Sequence, residues 1–169
     1  MKILSLDPSS TCCGYAVMTS ADRAEEFGIL WPEKRRASYE ARSMSLAGQV
    51  YSLAYEFHPQ AIVIEIPSTH VNHRRNGGAG AGLTAYAFAV GAAAGWLQAV
   101  PGGMTAHYVN VDEWTGKKKK ARRLSEIRTV FPRYDAEVRG GFDKGGDAGD
   151  ALALGRWWFK NKVVSNVAL

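Results

Sequence analysis

Four acids stand where a bare carboxylate would be costly. Asp7 closes the apolar run "KILSL", Glu65 lies inside "AIVIEIP", and Asp147 and Asp150 open the otherwise apolar "DAGDALALG". Glu65 is the most informative, because Ala61 to Ile64 precede it and Ile66 follows. A carboxylate stripped of water there costs several kcal/mol unless it is neutralised or paired. One solution is a basic partner, but the local sequence offers none before His70. The other is a metal ion held by several acids. Asp147 and Asp150, at i and i+3, point to the same face of a helix. Taken alone, they could instead be an N-cap and a first-turn dipole partner. An all-oxygen donor set favours Mg2+ or Mn2+ over zinc. "DKGGDAGD" lacks the alternating acids and late Glu of a calcium-binding EF-hand loop. Two such ions about 3.5–4 Å apart activate water and stabilise the leaving oxygen in phosphoryl displacement.

Positioning these acids falls to a small set of elements. "KILSL" (2–6) is an apolar run entering a turn, and "GYAVMTS" (14–20) and "EEFGILW" (25–31) are two further strands with "ADR" as their hairpin turn. The helical spacing of Leu46, Val50, Leu53, Ala54 and Phe57 predicts an amphipathic helix over 38–57. The β-branched run 61–67 reads as a strand buried on both faces. After a polar, glycine-rich loop over 68–82, a helix is predicted for 83–99, a fifth strand for 104–111, a helix for 125–131 and a last one for 147–160. The order βββαβαβαα fits a single α/β domain over 1–169, a mixed sheet with helices on its faces. The end of the first strand and the 61–67 strand can lie side by side, and a helix N-terminus packed there would bring in Asp147 and Asp150.

The 169 residues suit one core. The net charge of +5 is local: Lys117, Lys118, Lys119, Lys120, Arg122 and Arg123 fall within one heptapeptide, outside which 15 Lys and Arg face 16 Asp and Glu. Basicity so confined suggests contact with a polyanion, the bland reading being a solvated charged loop. Arg74 and Arg75 in "HVNHRRN" could also track phosphates. An acid cluster beside a basic segment makes sense if metals bridge the acids to a scissile phosphate while lysines hold phosphates beyond it. Cys12 and Cys13 are adjacent, without CxxC or His partners at zinc-ligand spacing, and read as reduced packing residues of a cytoplasmic chain. The N-terminal apolar stretch is too short for a signal peptide. Residues 76–111 carry no Asp, Glu, Lys or Arg, but they are mostly Ala and Gly, and a buried helix is expected there rather than a membrane span. Within that helix Ala87, Gly91 and Gly95 form a smooth stripe that either packs on its own sheet or receives another helix.

"LDPSSTCCGYAV" (6–17), "AIVIEIP" (61–67) and "DAGDALALG" (147–155) resemble, in order and separation, the three motifs of RuvC-type Holliday junction resolvases of the ribonuclease H-like superfamily. The resemblance implies a five-stranded mixed sheet, three strands antiparallel and two parallel, flanked by helices. It implies a homodimer that makes paired symmetric cuts in a four-way DNA junction, with Asp7, Glu65, Asp147 and Asp150 as metal-binding acids and Asp7 bridging two ions. The run Lys117–Arg123 falls where the family has a DNA-contacting loop, and the stripe falls on a helix that the family uses in its dimer interface. The sequence departs at Ser9, where bacterial members carry Gly, and at "STHV" (68–71), where they place an aromatic wedge. The compact size and altered loop look more like phage-type members, so a bacterial or phage-encoded origin is expected.

Three rival readings compete with this one. A YqgF-like or other ribonuclease H-like nuclease would act on RNA or on other branched DNA. An actin-like kinase needs a second subdomain that 169 residues cannot supply, and no phosphate-binding G-x-x-x-x-G-K is present. A DNA-binding module with purely structural acids would bind without metal and cut nothing. If a side chain relays a proton, His70, His73 and Lys144 are candidates by location, whereas His107 in the fifth strand reads as structural.

Overall fold

A computed structural model of the chain describes residues 1–9, 11–66, 79–99, 104–116 and 118–163. Three antiparallel strands come first, β1 (Ile3–Pro8), β2 (Cys13–Ser20) and β3 (Arg23–Leu30), the last two joined by a tight turn at Ala21 and Asp22. Helix α1 (Tyr39–Phe57) follows, with Ser38 capping it by accepting from the Ala41 amide. Strand β4 (Ala61–Ile66), helix α2 (Ala79–Gln98) and strand β5 (Thr105–Asn110) complete the sheet. The C-terminal part is helical: α3 (Val111–Thr115), α4 (Lys120–Val130), α5 (Pro132–Arg139) and α6 (Asp147–Trp158), ending in a π-helical turn, Phe159–Val163. The sheet order is β3-β2-β1-β4-β5, with β4 and β5 parallel to β1 and the first three strands antiparallel. This is the expected mixed sheet.

Side chains alternate across the pleat, and that alternation decides where the acids go. Leu4 and Leu6 of β1, with Ile62 and Ile64 of β4, join Leu46, Val50 and Ala54 of α1 and Leu97 of α2 in one core. Ile3 and Val63 face the opposite way, into a core with Ala148, Ala151, Leu152 and Leu154 of α6 and Ile127, Phe131 and Tyr134 of α4 and α5. Ser5 is on this second side, its hydroxyl donating to the Ala151 carbonyl at 2.5 Å. Two residues further along β1 and β4, Asp7 and Glu65 therefore project toward the α6 side. Leu6 pairs with Ile64 in parallel register, so the two acids are level on neighbouring strands.

Several element boundaries differ from those expected. Helix α2 starts at Ala79, not at 83, and α4 starts at Lys120, not at 125. Helices α3 and α5 were not anticipated. The α4 apolar face is thin (Leu124, Ile127, Val130) and lies among charges, so the basic run hides its helical period. Among the described residues no helix is long and apolar enough to cross a membrane. At Gly91 and Gly95 the stripe on α2 does not pack on its own sheet: an added Cβ would meet none of the described residues within 4 Å.

Candidate metal centre

Three elements bring the four acids to one end of the sheet. Strands β1 and β4 supply Asp7 and Glu65, and the first turn of α6 supplies Asp147 and Asp150. Gly14, the partner of Asp7 across the β1–β2 ladder, lets α6 come in: a Cβ there would lie 2.1 Å from the Asp147 carbonyl oxygen. The glycine of the first sequence motif is thus the seat of the third. The turn from β1 to β2 is tied by Ser9, whose hydroxyl donates to the Cys12 carbonyl (2.8 Å) and accepts from the Cys12 and Thr11 amides. The Ser9 side chain is therefore built into the turn.

Asp147 is not the N-cap of α6. The cap position is Gly146, at φ 77, and the capping oxygens come from Asp143, which accepts from the Asp147 amide (2.9 Å), the Gly149 amide (3.0 Å) and the Tyr134 hydroxyl (2.9 Å). Asp143 is buried at 5% exposure, and its carboxylate raises the Tyr134 phenol in addition to the effect of burial. With Asp143 serving the helix end, the carboxylates of Asp147 and Asp150 are released to the site.

The acids feel one another. Desolvation, then the negative charges of Glu65, Asp150 and Asp147, raise the Asp7 carboxyl well above its ordinary range, against the pull of Lys120. Desolvation and Asp150 lift Glu65 to about 7, opposed by the Trp114 hydrogen bond and by Arg123 and Lys120. Trp114 of α3 donates its indole N–H to Glu65 Oε2 at 2.9 Å. The Cys12 thiol donates to Asp147 Oδ2 at 3.3 Å and is pushed up to about 11, mainly by burial and then by Asp147, so it stays protonated at neutral pH. Both cysteines are free and buried.

Positive charge enters from α4. Lys120 Nζ lies 2.9 Å from Asp150 Oδ2 and 3.7 Å from Asp147 Oδ1. Arg123 places Nη2 at 3.0 Å and Nε at 3.3 Å from Asp150 Oδ1, donates from Nη1 to the Lys118 carbonyl, and stacks over Trp114 with its guanidinium carbon 4.9 Å from the ring centre. Burial alone would lower Lys120, but the hydrogen bond and charge of Asp150, then Asp147 and Asp7, hold it above its usual value. As the side chains stand, no three of the described Asp, Glu, His or Cys residues form a set that could enclose one metal ion. The donor set nonetheless suits hard divalent cations: four carboxylates share one region, two are driven toward their protonated forms by burial and then by their negative neighbours, and a cation already lies between Asp147 and Asp150.

The remaining site candidates divide. Lys118 pairs with Glu126 at 2.9 Å, Arg122 reaches the same carboxylate at 3.7 Å, and Lys119 is exposed at the start of α4. Lys117, Arg74, Arg75, His70 and His73 lie outside the described residues. Lys144 is exposed on the turn before α6. His107 rests against the Trp158 ring at 4.4 Å and is lowered by desolvation, as suits a packing histidine. Sequence reasoning missed Asp143, Trp114 and Cys12. The first was hidden by the glycine turn after it, and the second by the unexpected helix following β5. Only its place within the first motif could have marked the third.

This architecture, with acids at the ends of β1 and β4 and in the first turn of α6, is the ribonuclease H-like fold in the form found in RuvC-type resolvases. Thermus thermophilus RuvC solved in complex with a Holliday junction substrate superposes with a TM-score of 0.71 at 16% identity, covering 98% of this chain and 97% of that one. A second Thermus thermophilus RuvC structure gives a TM-score of 0.66 at 15% identity over 95% and 96% of the two chains. The yeast mitochondrial Holliday junction resolvase gives 0.63 at 11% identity over 94% and 77%. No family model and no curated protein matches the chain in sequence.

Proposed function

We propose that this chain is a metal-dependent, structure-selective DNA endonuclease that resolves four-way junctions by paired, symmetric phosphodiester hydrolysis. The observation that carries the reading is the level placement of Asp7 and Glu65 on adjacent parallel strands, facing a helix whose first turn presents Asp147 and Asp150. Near-complete overlap with the resolvase fold supports the choice of substrate.

Asp7, Glu65, Asp147 and Asp150 would hold Mg2+ or Mn2+, with two ions per site. Bound there, such ions supply an activated water and charge neutralisation at the attacking and leaving oxygens. The chain's own residues do the rest. Trp114 fixes one oxygen of Glu65. Asp143 holds the α6 amides, so that the Asp147 and Asp150 carboxylates need not turn back to cap the helix. Ile64, Leu6 and Ile62 behind the acids exclude water from the far side of the sheet. Lys118, Lys119 and Arg122 line the approach from α4 and, with Lys117, Arg74 and Arg75, would hold phosphates beyond the cut. The open α2 face around Gly91 and Gly95 would receive a second copy, giving a homodimer with two sites for two opposed strands. A single-domain enzyme of the cytoplasm, bacterial or phage-encoded, completes the proposal.

Substrate choice is tested by offering a labelled four-way junction, a matched linear duplex and a structured RNA side by side in Mg2+ or Mn2+. Nicks in the junction alone, at symmetric positions on opposed strands, are expected. Cleavage of the RNA alone would replace this reading with that of a ribonuclease on the same fold, and binding without metal or cleavage would reduce the chain to a DNA-binding module.

A further inference from the structure

Residues Lys120 and Arg123 have a place that a phosphate-binding role alone does not explain. Both are on α4, within the basic run, yet both side chains turn inward to the acids: Lys120 between Asp150 and Asp147, Arg123 onto the other Asp150 oxygen. Asp150 is only 7% exposed at its side chain and Arg123 only 13%, so this is a partly dehydrated network rather than a surface ion pair. The two Asp150 oxygens are thus divided between two protein cations. Those oxygens are also what a divalent cation would need. Trp114 joins the network at both ends, stacked under Arg123 and bonded to Glu65, so the hold on Asp150 is linked to the orientation of the β4 acid. Lys120 remains 41% exposed at its side chain, which leaves its ammonium a route back to solvent.

We propose that Lys120 is a resident counter-ion that a divalent cation displaces, so that metal binding frees a positive charge at the edge of the site for the DNA backbone. This rests on the metal-dependent nuclease reading above and adds a coupling to it. An ammonium bound to two carboxylates competes with the metal for them, and the metal, by removing the carboxylates' demand, returns the ammonium to a phosphate. Metal and DNA then each strengthen the binding of the other, reciprocally, as any such linkage requires. Arg123, less exposed and braced by Trp114 and the Lys118 carbonyl, stays in place as a positioning residue for Asp150.

The test is Mn2+ binding to the full chain by titration calorimetry in the absence of DNA, with melting temperatures of every variant recorded first. Lys120→Met keeps the length of the side chain without its charge. The displaced counter-ion requires it to bind Mn2+ several-fold more tightly than the natural chain, and Lys120→Arg to bind no more tightly than that chain. Junction binding, measured with Ca2+ against chelator, should be strengthened by the ion in the natural chain and much less so in Lys120→Met. Unchanged or weaker Mn2+ binding by a folded Lys120→Met overturns the proposal. So does a Ca2+ effect on junction binding that is the same in both proteins. Should Lys120→Met fail to fold, Lys120→Gln carries the same expectation. If the natural chain itself binds no Mn2+, the metal-centre reading fails, a result distinct from failure of the exchange.

Discussion

The Glu65 carboxyl, lifted from its ordinary 4.5 to about 7 by desolvation and by Asp150, makes the metal-free site costly to charge. Because the folded value is the higher one, the folded chain keeps a proton that the unfolded chain has released between those two values. The stability from this group is full below the unfolded value and is lost as pH rises through about 7. Asp7, raised in the same direction, adds to the effect. Melting temperature in chelator should therefore fall from about pH 5 to about pH 8, and Glu65→Gln, with no proton to lose there, should flatten the fall. Identical profiles for the two proteins would mean that Glu65 is not the group held protonated by burial and by Asp150. The same loss of hydration explains why the sequence marked this residue so clearly: a lone acid among β-branched neighbours is legible without any structure. Trp114, its hydrogen-bond partner, is not, because nothing in the run after β5 distinguishes a packing indole from one that orients a carboxylate.

Helix α6 shows how an element can be right in place and wrong in detail when read from sequence alone. Its start at Asp147 and its apolar stripe were legible, and the two acids on one face followed from spacing alone. Its cap was not. Gly146 at positive φ folds the chain back so that Asp143, four residues before the helix, reaches the amides. Asp143→Ala leaves two amides and a buried phenol without their acceptor and should cost about 1–3 kcal/mol in denaturant unfolding, with weakened metal binding besides. Asp143→Asn, which keeps an acceptor, should recover part of both. A variant as stable as the natural chain would show that the cap is dispensable. Helix α4 was misjudged for the opposite reason, because its charges outnumber its apolar residues and mask a short helical face. The exposed lysines just before it, Lys118 and Lys119, are proposed to bind DNA. Replacing Lys118 and Lys119 with Ala should weaken junction binding irrespective of sequence and reduce the slope of log affinity on log salt by roughly 0.9 for each phosphate left without its lysine. An unchanged slope would leave those two lysines as solvated surface.

At the scale of the whole molecule, parallel pairing of β1 with β4 is what sets two acids level; the element order implied only a mixed sheet, in which those strands could be neighbours. The use of α2 was open in the sequence, since a stripe of small residues serves a sheet or a partner helix equally well. Among the described residues Gly91 and Gly95 face open space beside Met44 and Trp96, which are 45% and 39% exposed, and this part of α2 is the proposed seat of a partner. Gly91→Arg should shift a dimer to monomer in sedimentation velocity, whereas undiminished association would place the interface elsewhere. Carboxylates from β1, β4 and α6 are proposed to act together on a DNA backbone through divalent cations. Mapping cuts in a four-way junction at nucleotide resolution, with Mg2+ or with chelator, for the natural chain, Asp7→Asn and Glu65→Gln, tests this most directly. Paired symmetric cuts are expected only with the natural chain and metal. Each variant should lose at least about 100-fold in cutting while junction binding persists, since even outer-shell partners of a metal are worth about 10–100-fold. Normal cutting by either variant in Mg2+, or cutting by the natural chain in chelator, would contradict the metal-centre reading.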